Sequence, residues 1–134
     1  MVYKNYKKWM GIKSGINNKN GHWRIGEGDV VWAAVGENVG VEIDGKNDRF
    51  SRPVIVLRKH SERCFTGIPL TSKRHKGSWY VSFVFQNRIQ TAVLVQARLM
   101  DAARVYSRMG ELSKKDYMLI LKAYVTFIKG KNMP

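Results

Sequence analysis

The sequence predicts a mainly β protein, a compact antiparallel barrel or sandwich followed by one C-terminal helix. Three observations predict it. Short runs rich in β-branched and aromatic residues recur from Asp29 onward. No helical crossover separates them, which argues against a parallel α/β sheet. The last stretch then changes to a helical period with its own start and stop signals. At 134 residues the chain suffices for one domain with a real core and is short for two.

Residues 1–26 carry basic side chains and no acidic one, and read as a basic N-terminal extension to a main domain at 27–134. Tyr3, Tyr6 and Met10 stand at helical spacing with Trp9 beside them. This predicts a short helix packing aromatics on the body; the competing reading is an arm that touches phosphates. SGINNKNG at 14–21 is turn-rich and reads as a linker. DVVWAAV (29–35), PVIVLR (53–58), CFTGIPL (64–70), WYVSFVF (79–85) and TAVLV (91–95) read as strands, and ARVYSRM (103–109) as a more basic sixth. Between the first two lies the polar stretch GVEIDGKNDRFSRP, a loop expected to stay mobile until a ligand binds. In GELSKKDYMLILKAYVTFIKG, Ser113 is an N-cap, Asp116 three residues on gives an acidic capping box, and Gly130 ends the helix. Tyr117, Ile120, Leu121, Tyr124, Val125 and Ile128 form an apolar stripe that Met118, Leu119 and Phe127 widen. A helix apolar over most of its circumference is buried on two sides. One side is expected to meet the barrel and the other a second copy of the chain.

Charge narrows the function classes. Twenty-four Lys and Arg against ten Asp and Glu leave a net charge of +14, which attracts polyanions: nucleic acid or an acidic protein. No apolar run approaches the roughly 20 residues of a membrane span, and no strongly amphipathic basic helix marks a membrane surface. The N-terminus lacks the apolar centre of a signal peptide. Cys64 is alone, so there is no disulfide framework, and the cytoplasm is the expected location. His22, His60 and His75 lack ligand spacing. The acids at 42–48 do not follow a calcium loop. Phosphate-cradling and dinucleotide glycine motifs are missing, as is a GxSxG elbow. Any reaction is therefore expected to use side chains, with no metal and no cofactor.

Three segments remain: GDVVWAAV through the polar loop to Arg52-Pro53; IPLTSKRHKG (68–77), a strand ending in Thr71-Ser72 and a basic turn; and VLVQARLMD (93–101), read as one strand carrying Gln96 and Arg98. The ordered set GDVVW, GVE, RPVIVL, PLTSK, QAR, GELS resembles the MazF/PemK family of bacterial toxin endoribonucleases, from about Gly28 to the last helix. The order and spacing are more specific than any one motif. The resemblance implies an SH3-like antiparallel β-barrel with a C-terminal helix, working as a homodimer whose interface forms a groove for single-stranded RNA. It also implies an acidic antitoxin as partner, mRNA as substrate, and metal-independent cleavage by 2′-hydroxyl attack on the neighbouring phosphate.

On this resemblance Arg52, before Pro53, and Thr71, at the end of the third strand, are catalytic, and Gly40-Val41-Glu42 matches the family's Gly-x-Glu. The chemistry agrees. Attack on a phosphodiester builds negative charge on phosphorane oxygens, and a guanidinium fork suits them. With its very high pKa Arg52 is a poor general base; Thr71 can donate to a non-bridging oxygen. Glu42 either accepts the 2′-hydroxyl proton or reads a base edge. Lys46, Arg49, Phe50, Ser72, Lys73, Arg74, Lys76, Gln96 and Arg98 are the expected RNA contacts. Each has a plainer alternative. Arg52 could be a loop–strand junction that Pro53 stiffens, and Thr71-Ser72 an ordinary strand terminus. Glu42 could pair with Lys46 or Arg49, a surface contact of about 0–1 kcal/mol. The run 73–76 could be a solvated face. Phe50 and Trp79 could stack bases, though Trp79 is expected in the core. Where many members carry Asp-Gln-x-Arg followed by Thr, this chain has Val95-Gln96-Ala97-Arg98-Leu99, a departure bearing on the groove. A second class fits the charge equally: a non-catalytic SH3-like barrel binding nucleic acid or a protein target such as gyrase. Only Arg52, Thr71 and Glu42 separate the two.

Overall fold

The computed structural model describes residues 4–130 and sets seven strands between two helices. Helix α1 spans Tyr6–Asn17. The strands are β1 Asp29–Ala34, β2 Ser51–Lys59, β3 Cys64–Thr71, β4 Tyr80–Phe85, β5 Arg88–Val93, β6 Arg98–Asp101 and β7 Val105–Glu111. Helix α2 spans Lys114–Lys129. All pairings are antiparallel, in the order β4-β5-β3-β2-β1-β7, with β6 on β3. Strand β3 changes partner along its length. Its first residues pair with β6 (Cys64 opposite Asp101) and its last two with β5 (Leu70 opposite Ala92, Thr71 opposite Thr91). A strand shared in this way turns a corner of the sheet. The end strands β4 and β7 form no ladder among the described residues. They meet through side chains instead: Gln86 Nε2, just past β4, donates to the Met109 carbonyl at 2.9 Å, and the Phe85 ring lies against Gly110. The predicted mainly β architecture with a C-terminal helix is thus present, as a curled sheet whose seam is not closed by backbone hydrogen bonds.

Strands β1 and β2 are buried on both faces, which explains their unbroken apolar runs. One side, with Val30, Ile55, Leu57, Leu70, Phe83 and Phe85, packs against Ile120 of α2. The other side gathers Val31, Val54, Val56, Phe65, Met100 and Val105. Helix α2 has the predicted ends: Ser113 Oγ accepts from Asp116 N at 3.1 Å, and Gly130 adopts φ 72°. Tyr117 donates its hydroxyl to the Leu57 carbonyl at 2.7 Å. Met118, Leu119, Val125 and Ile128 of α2 face outward, exposed. No helix among the described residues is long and apolar enough to cross a membrane.

Two local readings change. The run TAVLV leaves the sheet at Val93; Leu94–Gln96 form a single 3-10 turn, and a separate strand, β6, follows. Four residues carry too little periodicity to be seen in the sequence, and it is pairing with β3 that makes them a strand. Helix α1 extends through Ser14–Asn17, which the sequence reading gave to a linker. Its inward face is Trp9, Ile12 and Ile16, while Met10 and Tyr6 are exposed; Tyr3 lies outside the described residues.

Candidate active site

The β2–β3 register pairs Val54 with Pro69, and carried two residues further it sets Arg52 opposite Thr71. Pro53 faces Trp32 of β1, where its missing N–H breaks only one edge of the ladder. The Arg52 guanidinium is half-buried. Its Nε donates to the Asp44 carbonyl, and its Nη1 makes a long contact of 3.5 Å to the Leu70 carbonyl. Burial pushes its pKa below the ordinary arginine value, and the Asp44 charge opposes that shift; an arginine stays protonated under such conditions. The remaining N–H groups are left for the cavity. Thr71 is buried, and its Oγ1 accepts from Lys73 N at 3.3 Å, which leaves the hydroxyl hydrogen free to donate.

Both side chains line one cavity of about 520 Å³, together with Lys46, Ser72, Gln86, Arg88 and Gln90. No carboxylate lines it. Trp32, the one exposed position of β1, forms part of its wall. A second cavity of about 410 Å³ shares Trp32, Asn47 and Ser51 with the first and adds Arg49 and Tyr106. The two share a wall and make one furrow lined by a half-buried guanidinium, a hydroxyl donor and the cations Lys46, Arg49 and Arg88, with Asp48 as the carboxylate of its second part. That is an arrangement for a phosphate backbone: fixed donors at one point and screened charge around it.

The predicted site residues divide. Lys46 and Ser72 share the first cavity with Arg52 and Thr71. Arg49 lines the second and holds its guanidinium 5.0 Å from the centre of the Tyr106 ring. Glu42 lies elsewhere, in a separate cavity of about 520 Å³ with Gln96 and Arg98. Its Oε1 accepts from Val39 N at 2.9 Å, so it caps its own turn; among the described residues it makes no ion pair with Lys46 or Arg49. Lys73, Arg74 and Lys76 are exposed on the β3–β4 connection, where His75 stacks on Tyr80 at 4.6 Å. The two aromatics exchange the places expected of them: Phe50 is buried against Trp9 and Ala34, and Trp79 is 52% exposed. Phe50 therefore cannot offer its ring to a base without leaving the core.

Gln96 spends both ends of its amide on the polar loop, accepting from Ile43 N at 3.1 Å and donating to the Val41 carbonyl at 2.9 Å. The loop is a built structure, not the loose connection expected. Asn38 N donates to Asp44 Oδ1 at 2.6 Å, Asn38 Nδ2 to the Ile43 carbonyl at 2.7 Å, and Gly45 N to the Gly36 carbonyl at 2.7 Å. Lys46 and Ser51 pair through both backbone groups at 2.9 Å. A Cβ on Gly45 would sit 1.7 Å from the Phe50 carbonyl oxygen, so only glycine fits there.

Sequence reasoning missed Trp32, Arg88, Gln90 and Gln86. Arg88 and Gln90 carried a signal, since alternate residues of a strand share a face. Trp32 carried none, because every neighbour in its run is apolar. Among the described residues no three metal-binding side chains converge.

The fold is shared with solved structures. The crystal structure of MazF (Form-I) from Deinococcus radiodurans aligns with a TM-score of 0.60 over 81% of this chain and 99% of that chain, at 16% sequence identity. At that identity the likeness concerns fold alone. A search of curated protein sequences finds no match. The family model described as PemK-like, MazF-like toxin of type II toxin-antitoxin system matches residues 26–127. The match begins where the basic extension ends and runs through the curled sheet into α2. Covering most of the chain, it shows that the protein belongs to the PemK-like, MazF-like toxins of type II toxin-antitoxin systems.

Proposed function

We propose that this toxin is a metal-independent, sequence-selective endoribonuclease that cleaves single-stranded RNA, mRNA included. The observation that carries the reading is the Arg52 guanidinium and the Thr71 hydroxyl lining one basic, carboxylate-free cavity. The ribose 2′-hydroxyl oxygen attacks the adjacent phosphorus and the P–O5′ bond breaks, giving a 2′,3′-cyclic phosphate and a 5′-hydroxyl end. The 2′-hydroxyl proton passes to solvent and the departing 5′-oxygen takes one up, so the step is neutral overall and needs no co-reactant. Charge developing on the non-bridging oxygens is met by Arg52 and Thr71. Lys46, Arg49 and Arg88 hold flanking phosphates, and the exposed face of Trp32 stacks a base. Glu42, in its own cavity with Gln96 and Arg98, is assigned to a neighbouring nucleotide, not to the reacting phosphate. DNA, lacking the nucleophile, is bound without being cut.

The outward apolar face of α2 supports a homodimer, and the net charge of +14 supports an acidic antitoxin that competes with RNA for the furrow. The cytoplasm, where mRNA is met, is the location this reading implies. The test is to incubate antitoxin-free protein with a mixed RNA and its DNA counterpart, with and without EDTA. Cleavage of RNA alone at a short recurring sequence, unaffected by EDTA and lost in Arg52→Ala, supports the reading. RNA that is bound but stays intact would overturn it in favour of a non-catalytic nucleic-acid-binding barrel.

A further inference from the structure

Helix α1 and the residues just before it lie outside the residues that match the family, yet Lys4, Asn5 and Tyr6 make polar contacts with the loop that precedes Arg52. Lys4 Nζ lies 3.0 Å from Asp44 Oδ2 and donates to the Asn38 carbonyl at 2.6 Å. Tyr6 donates its hydroxyl to the same carbonyl at 2.7 Å, and Asn5 N donates to Glu37 Oε2 at 2.9 Å. Trp9, 4% exposed, packs its ring 5.6 Å from that of Phe50, and a Cβ on Gly36 would meet the indole at 2.6 Å. Phe50 adopts φ 52°, a left-handed conformation that a bulky residue holds only when its surroundings impose it. It does so two residues before Arg52.

Asp44 joins these contacts to the chemistry. Its carboxylate accepts from Asn38 N and from Lys4, and its backbone carbonyl accepts from Arg52 Nε. We infer that α1 with the residues leading into it is a brace for the reactive arginine: Lys4, acting through Asp44, and Trp9, wedged against Gly36 and Phe50, are positioning residues that fix the loop whose backbone orients the Arg52 guanidinium. The Lys8–Asp48 pair is different in kind. Asp48 is 95% exposed, and such a pair orients little. Lys4 and Asp44 are the more enclosed pair, at 16% and 28% side-chain exposure.

The inference rests on the role of Arg52 proposed above, and two readouts on the full chain keep the two apart. The first is exchange of the Arg52 Nε–H proton with solvent, followed by NMR. It should quicken at least about tenfold in Lys4→Met and in Asp44→Asn, which keeps the acceptor for Asn38 N, with rescue by Lys4→Arg. The Lys4→Met/Asp44→Asn pair should lose no more than either alone, because both break one link. The second is steady-state cleavage of RNA: kcat should fall about tenfold to a hundredfold in the same variants, with KM little changed because Lys46 and Arg88 are untouched. Unaltered exchange in both single variants, or a rise in KM with kcat intact, would overturn the brace. Should the wild-type protein cut no RNA, the ribonuclease reading fails, and the exchange rates still decide whether α1 orients Arg52.

Discussion

At the scale of residues, the proposed chemistry depends on donors aimed at one point. Arg52 has one N–H committed to the Asp44 carbonyl and its carbon stem enclosed at the β2 start. Its fork is thereby held before substrate arrives, which is where electrostatic catalysis gains most. Arg52→Ala should lower kcat by about a hundredfold to a thousandfold, the usual loss when one such donor is removed. Arg52→Lys should recover little, since an ammonium cannot both hold the Asp44 carbonyl and face the phosphate. Thr71→Val keeps the shape and removes the donor, so it should lower kcat with the fold intact; Thr71→Ser should restore activity. Comparing these variants by single-turnover cleavage and thermal unfolding separates lost chemistry from lost structure. Arg52 and Thr71 were expected as catalytic residues from the family resemblance, and the structure adds that the two line one cavity. Glu42 was expected beside them on the same resemblance, and its separate cavity was not foreseeable, since that depends on Gln96 and Arg98, far along the chain.

At the scale of elements, the two helices are held in different ways. Helix α2 is specified locally: Ser113 caps it, Gly130 ends it, and Ile120 anchors it in the core. Ser113→Ala should cost about 1 kcal/mol in chemical denaturation, as lost N-caps do. Its outward residues are a separate matter. Leu119→Lys with Ile128→Glu places charge on exposed positions. The pair should leave the melting temperature nearly unchanged and shift light scattering from dimer to monomer; a dimer that persists would show that another face joins the copies. Helix α1 contains Gly11 and Gly15, each costing about 1 kcal/mol relative to alanine. It stands because Trp9, Ile12 and Ile16 pack on the sheet edge. Its existence was expected from spacing, but the inward face was assigned to the wrong residues. Tyr6 and Met10 offer as much side-chain area as Ile12 and Ile16, and the partner surface decides which of them turn inward.

At the scale of the whole molecule, α2 is tied to the sheet, and the segment before α1 to the loop ahead of Arg52, through groups that titrate in alkali. Burial raises the Tyr117 phenol above its ordinary 10.0; Glu27 adds to the shift and Arg58 opposes it. The hydrogen bond to Asp44 raises Lys4 above its ordinary 10.5. For groups whose folded pKa is raised, the stabilisation is complete below the unfolded value and is lost as pH rises through the folded one. Thermal stability should therefore be level through neutral pH and fall from about pH 10 upward, a range set by the ordinary tyrosine value. Tyr117→Phe should cost about 1 kcal/mol at neutral pH by freeing the Leu57 carbonyl, and should blunt the alkaline fall. Melting curves of both proteins between pH 7 and 11 test this; an alkaline fall unchanged in the variant would assign it to other groups.

The sequence by itself determined the mainly β class, most of the strands and the sharply capped last helix. Each of these depends on neighbours within a few positions: alternation and caps. The tertiary structure alone decided which aromatics meet solvent, that Glu42 and Arg52 line different cavities, and that the basic extension reaches the loop preceding Arg52. Phe50 is buried because Trp9 covers it, and Trp32 is partly exposed because it opens onto two cavities. Exposure and orientation are set by what the rest of the chain brings against a residue, and a local pattern carries no record of that.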